Sequence, residues 1–156
     1  MIELIIVIII LGLIALVALP RFIDTSRDAR IASLKSARGA VASGLQLFSA
    51  KAAIASNLQP VTTGGGSTFP ISVTQYVEIN GVKIGVTNNN QAAFSVFEVK
   101  QQVNALLELA SDFQVVHGTT DLGFYIYLGE DAAFDRCYVR YAPNANPSVI
   151  FVSDSC

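Results

Sequence analysis

The chain has 156 residues, 52% of them hydrophobic and 14% charged, so one domain of ordinary size is expected and intrinsic disorder is excluded. A net charge of -2 argues against nucleic-acid binding through bulk positive charge, which needs clustered Lys and Arg across the fold. The charge is unevenly placed, +4 over residues 20–51 and -5 over residues 52–156, with Glu3 supplying the rest, which leaves open either self-association along an axis or a dipolar surface without consequence.

Residues 4–19, LIIVIIILGLIALVAL, are sixteen positions without a polar side chain. As helix they extend about 24 Å at ~1.5 Å per residue, and adding residues 1–3 brings the run near the ~20 residues of a membrane span. A soluble core helix would show a polar face. A cleaved secretory signal would open on basic residues and end in small ones, yet Glu3 opens this segment and Leu16 sits poorly beside a cut near Ala18, so retention is expected. Glu3 has two readings. Either its carboxylate pairs with a positive group such as the amino terminus of a neighbouring copy, or it lies in the headgroup layer and favours its own helix N-terminus. Gly12 lowers helix propensity by ~1 kcal/mol and Pro20 removes the bond to the carbonyl of Leu16, so the stretch between them is the weak part. In an assembled fibre the helix is expected to break there. Beyond Pro20, Leu34, Ala37, Val41, Leu45, Phe48 and Ala52 recur at helical spacing, with Lys35, Arg38, Ser43 and Gln46 off the stripe. One helix, apolar and then amphipathic, is expected to run to about Ser56.

Residues 57–75, NLQPVTTGGGSTFPISVTQ, read as a surface loop. Residues 76–79 and 82–86 flank Asn80 and Gly81, the strongest short hairpin signal, closed by residues 88–90. Over residues 93–110, Phe97, Val99, Val103, Leu106, Leu107 and Ala110 stand at helical spacings, with Gln101, Gln102, Asn104 and Glu108 on the wet side. Short strands are expected at 113–116, 124–128, 137–141 and 149–152, separated by Gly, Asp, Asn and Pro turns and paired antiparallel. The turn over 142–147 folds 149–152 back along 137–141, which brings Cys156 towards Cys137. If the first segment is membrane-inserted, the rest faces an oxidising compartment, where such a pair is more often a disulfide than a metal or redox site; two unpaired buried thiols are the alternative.

Catalytic machinery is hard to find. The lone histidine, His117, lies in a strand pattern with no nucleophile context, so a structural or surface role is expected over a general base. Glu130, Asp131 and Asp135 offer oxygen atoms without the EF-hand spacing and read as a solvated loop rather than a Ca²⁺ site. Gly64, Gly65 and Gly66 lack the ending of a phosphate loop, and no N-x-[ST] acceptor exists. Phe22 and Phe48 are too sparse for a conducting aromatic stack. No enzyme activity, cofactor or metal is expected.

The opening IELIIVIIILGLIALVALPRFID closely resembles the N-terminal helix of type IV pilins, with Glu3, Gly12 and Pro20 in the register those subunits use. The continuation ARIASLKSARGAVASGL looks like the mannose-sensitive haemagglutinin pilins of type IVa, and the later layout of helix, loop, antiparallel strands and terminal cysteine pair is also similar. The resemblance implies an α+β pilin fold: residues 1–19 as membrane and filament-core helix, 20–56 as amphipathic helix half, and 57–156 as a head. In that head a four- to six-stranded sheet packs on the helix, and Cys137 and Cys156 close the C-terminal loop. It implies a subunit held in the inner membrane and then built into an extracellular helical homopolymer by a prepilin peptidase, an assembly ATPase and a membrane platform. Adhesion, surface attachment, biofilm formation or motility would be properties of the fibre. Pilins carry four mature residues before the glutamate, often beginning with an N-methylated Phe, whereas Met1 and Ile2 precede Glu3, so a leader and two mature residues are expected upstream. Two other classes fit the first helix: a pseudopilin of a type II secretion system, and a membrane-anchored periplasmic binding domain, which would need a polar constellation.

Overall fold

A computed structural model describes residues 2–61, 73–118, 122–129, 136–154 and 156, with the side chains of 16–24 and 55 outside that description. The chain is α+β: a long N-terminal helix and a short one, packed with two antiparallel sheets.

Helix α1 spans Ile2–Ala52 without interruption, with Glu3 in its first turn and Lys51 in its last, both signs favourable to the helix dipole. The stripe expected at helical spacing is buried: Leu34, Val41 and Phe48 have no exposed surface, Ala37 and Ala52 almost none, and Leu45 is half-buried. Lys35, Arg38, Ser43 and Gln46 face outward as expected. The helix stops four residues earlier than the pattern predicts. The Asn57 side chain donates to the Lys51 carbonyl at 3.1 Å, and a 3-10 turn over Ala55–Asn57 replaces the last helical turn. Among the described residues no helix is long and apolar enough to cross a membrane. The apolar positions whose side chains are described, 4–15, give about 18 Å at ~1.5 Å per residue, against ~30 Å of hydrocarbon. Residues 16–19, which the sequence reading needs to complete a span, have side chains outside the description.

The sheet expectation needs correction, because the strands form two four-stranded sheets rather than one. The first has the order β1 (Gln59–Pro60), β2 (Gln75–Ile79), β3 (Val82–Val86), β4 (Ala92–Ala93). Its central hairpin is the expected one. Ile79 pairs with Val82 across Asn80 and Gly81, whose φ angles of 51° and 78° are the two left-handed residues of a type I′ turn. The loop expected over 57–75 contributes β1 at its start, and its centre, residues 62–72, lies outside the described residues. The second sheet has the order β5 (Phe113–His117), β6 (Phe124–Leu128), β7 (Cys137–Tyr141), β8 (Val149–Ser153), each strand within a residue of its expected place. Helix α2 (Val99–Leu107) separates the two sheets in sequence, and which strands share a ladder is decided by long-range packing that strand periodicity does not encode.

The helix expected over 93–110 is shorter. Ala92 and Ala93 are committed to β3, and Phe94 is fixed among Phe124 and Tyr141 with ring centroids 4.8 and 5.8 Å away, so α2 begins only at Val99 and ends at Leu107. Phe97, expected on the core face, therefore lies in the turn before the helix and is 85% exposed. Gln102, expected on the wet side, is wholly buried. Its Oε1 accepts from the Ser95 N–H at 2.7 Å and its Nε2 donates to the Lys83 carbonyl at 2.8 Å. One polar side chain thus ties α2, its preceding turn and the first sheet together.

The core runs from α1 (Leu34, Val41, Phe48) through the first sheet (Val77, Ile84) and α2 (Val103) to the second sheet (Phe124, Ile126, Val139). The sheets are stitched at Phe94. Its N–H donates to the Leu122 carbonyl at 2.9 Å, its carbonyl lies 3.1 Å from His117 Nε2, and the Tyr141 hydroxyl donates to the Ala92 carbonyl at 2.9 Å.

Candidate assembly surface

The two halves of α1 have opposite environments because the chain folds only against the second. From Leu34 onward the apolar stripe is covered by both sheets and α2. Before that, eleven large apolar side chains, Ile2 through Ile14, each keep between 51% and 73% of their surface exposed. Fully burying one such side chain is worth ~1.5–3 kcal/mol, so on the order of 10 kcal/mol of burial is left unrealised on this rod. That is comparable to the whole stability of an ordinary domain, ~5–15 kcal/mol. Among the described residues nothing covers this rod.

Glu3 stands exposed on that rod within the first turn. Gly12 lies in the same apolar segment, and a Cβ there would meet nothing within 4 Å. Pro20 lies within the bounds of α1, with its side chain outside the described residues. Glu3 and Gly12 thus belong to the uncovered half, far along the helix from the head.

Cys137 and Cys156 are bonded, with Cα atoms 5.0 Å apart. The local cause is the β7–β8 hairpin, in which Cys137 pairs with Ser153 and Tyr141 with Val149, so the last residues turn back towards Cys137. Among the described residues no cysteine is free and no cluster of His, Cys, Asp or Glu is placed to hold a metal ion. Glu130, Asp131 and Asp135 lie outside the described residues, as do Gly64, Gly65 and Gly66. His117 is partly buried, and its ring nitrogen bonds the Phe94 carbonyl, a structural contact joining β5 to the segment after β4.

Two features escaped the sequence pattern. Tyr141 is buried, and burial pushes its hydroxyl well above the ordinary tyrosine range. On the other face of the second sheet Tyr125, Tyr127 and Tyr138 form a ring cluster with centroids 5.4–6.0 Å apart, with the Arg140 guanidinium 5.5 Å from the Tyr125 ring. Partial burial, then the neighbouring Tyr125 and Tyr138, raise Tyr127. Strand alternation places these residues on opposite faces, but their partners are cross-strand and follow only from register. Comparison with protein-family models, with curated proteins and with solved structures found no match.

Proposed function

We propose that this chain is a structural subunit, not an enzyme, that polymerises into an extracellular type IV pilus filament serving adhesion, surface attachment or motility. One observation carries the reading: eleven large apolar side chains remain more than half exposed on a helix whose continuation is firmly packed into a closed head. Such a rod is covered either by lipid or by the same rods of other copies. A subunit made for assembly uses both in turn, lipid while stored in the inner membrane and neighbouring helices once in the fibre. In lipid helix association gains nothing from the hydrophobic effect, so packing and polar pairing must drive it. Glu3 then has a role as the carboxylate that docks against the terminal amine of a neighbour, a pairing worth most where water is excluded. The head, locked by the Cys137–Cys156 bond, stays folded through both stages. A prepilin peptidase, an assembly ATPase and a membrane platform would be the partners of this route, through the resemblance to type IV pilins.

The test is electron microscopy of material sheared from the surface of producing cells, with mass spectrometry of what is seen. Long fibres made of this chain are expected. Glu3→Val is expected to leave the subunit in the membrane at normal level and to lower fibre yield at least tenfold, and normal yield from that variant refutes the pairing. Absence of surface fibres from cells that hold the folded subunit in the membrane contradicts the proposal and favours a pseudopilin.

A further inference from the structure

The positive charge of the chain is collected on the stretch of α1 between the apolar rod and the head. Over residues 25–38, Arg27, Arg30, Lys35 and Arg38 stand exposed against Asp28 alone, a net of +3, whereas residues 52–156 carry -5. Among the described residues the ion pair present is Arg136 with Asp154, so no described carboxylate neutralises any of these four cations at ion-pair distance.

Two of the four continue the core stripe. Arg27, Arg30, Leu34, Ala37 and Val41 follow one another at spacings of 3, 4, 3 and 4, yet the three apolar residues are buried under the head and the two arginines are exposed. The residue type thus changes where the cover ends. Arg30 lines a notch of about 450 Å³ with Ser26, Ser33 and Leu128, where β5 starts and β6 ends. Asp112 also lines it and makes no ion pair with Arg30.

We infer that Arg27 and Arg30 bind the phosphates of anionic phospholipids while the rod is in the membrane. The inference rests on the membrane-stored stage proposed above and adds to it a lipid preference and the residues that set it. Measured from Leu19, where the apolar run ends, Arg27 and Arg30 stand about 12 and 16 Å up the helix at ~1.5 Å per residue. The headgroup layer takes up roughly 5–8 Å of that height. Side chains on a helix lean towards its N-terminus, and arginine has a long stem with a charged tip, so both guanidinium groups reach down towards the phosphates. Lys and Arg are normally scarce beside a membrane helix on its exported side, so basic groups placed there call for a partner. The acidic head is repelled by the same surface, which keeps the attraction at the base of the chain. Each basic side chain near an anionic surface favours it roughly fivefold, hence roughly 25-fold for the pair.

The experiment adds phosphatidylglycerol or phosphatidylcholine to the full chain in a mild non-ionic detergent and counts bound lipid by native mass spectrometry. Phosphatidylglycerol is expected to bind at least tenfold more tightly. In Arg27→Gln/Arg30→Gln the two lipids are expected to bind within twofold of each other, with the melting temperature unchanged because both side chains are exposed. Lys35→Gln/Arg38→Gln, about 24 and 28 Å above Leu19, is expected to keep the preference. Equal binding of the two lipids by the unaltered chain, a preference that survives Arg27→Gln/Arg30→Gln, or one lost as fully in Lys35→Gln/Arg38→Gln overturns the inference. Displacement of the bound lipid by millimolar inorganic phosphate marks a free-anion site and overturns it as well. The lipid count needs no fibres: fibres from a chain without the preference defeat the lipid contact and leave the filament reading, whereas the preference in a chain that forms none defeats the filament reading and leaves the lipid contact.

Discussion

Gln102 is the residue at which the sequence pattern and the fold diverge most, and its removal has a calculable cost. Gln102→Leu keeps nearly the same volume, so the cavity term is small and the effect falls on the two groups it satisfies. The Ser95 N–H lies against a wholly buried residue, and leaving such a donor unpaired costs ~1–3 kcal/mol. The Lys83 carbonyl is part-buried and regains water in part, adding up to ~1 kcal/mol. The expected loss is therefore ~1–4 kcal/mol, or roughly 2–16 °C in melting temperature for a chain of this size. The assay is thermal unfolding of the full chain in mild detergent, followed by near-ultraviolet circular dichroism of the tyrosines, with Gln101→Leu as control. Gln101 is exposed one position away, and its replacement is expected to change stability by less than ~0.5 kcal/mol. If Gln102→Leu matches that control, or stabilises, the bridging role is wrong.

Cys156→Ser opens the bond whose ends are 19 residues apart in sequence and is expected to cost ~3 kcal/mol in the chain-entropy model, read as a lower urea midpoint and lower subunit abundance in cells. Tyr141 has its hydroxyl raised by burial, so its contribution is fully present below the ordinary tyrosine value of 10.0 and is lost as pH rises towards the folded one. Unfolding free energy is thus expected to fall above about pH 10, and Tyr141→Phe should flatten that slope while costing ~1 kcal/mol at neutral pH through the lost Ala92 bond. A Cβ on Gly123 would collide with the backbone carbonyl of Tyr141, whereas one on Gly39 meets nothing within 4 Å. Gly123→Ala is expected to cost ~2 kcal/mol or more and Gly39→Ala to add up to ~1 kcal/mol to the isolated subunit, both measured by denaturant unfolding.

Much of the fold is legible where one period or one turn decides it. The α1 stripe from Leu34 to Ala52 can face only one way on a helix, and Asn80 with Gly81 sets the β2–β3 register by itself. The disulfide follows from the β7–β8 hairpin, which turn chemistry at 142–147 already implies. What the pattern misses depends on contacts between distant segments. Gln102 reads as a wet-side residue because its partners, Ser95 and Lys83, come from the preceding turn and from another sheet. Phe97 reads as core because it falls in the apolar pattern read as one helix over 93–110, and only the pinning of Ala93 and Phe94 delays the helix past it. The uncovered rod is legible as an apolar run without a polar face.

The central claim is that the apolar half of α1 is covered by the same segment of other copies. A reconstruction of the fibre from electron micrographs, at a resolution that shows side chains, tests it most directly. Residues 2–15 of every copy are expected around the axis, each Glu3 beside a neighbour's terminus, the heads outside, and helical bonding loosened between Gly12 and Pro20. A fibre whose axis is built from the heads, with the rods projecting outward, would contradict it.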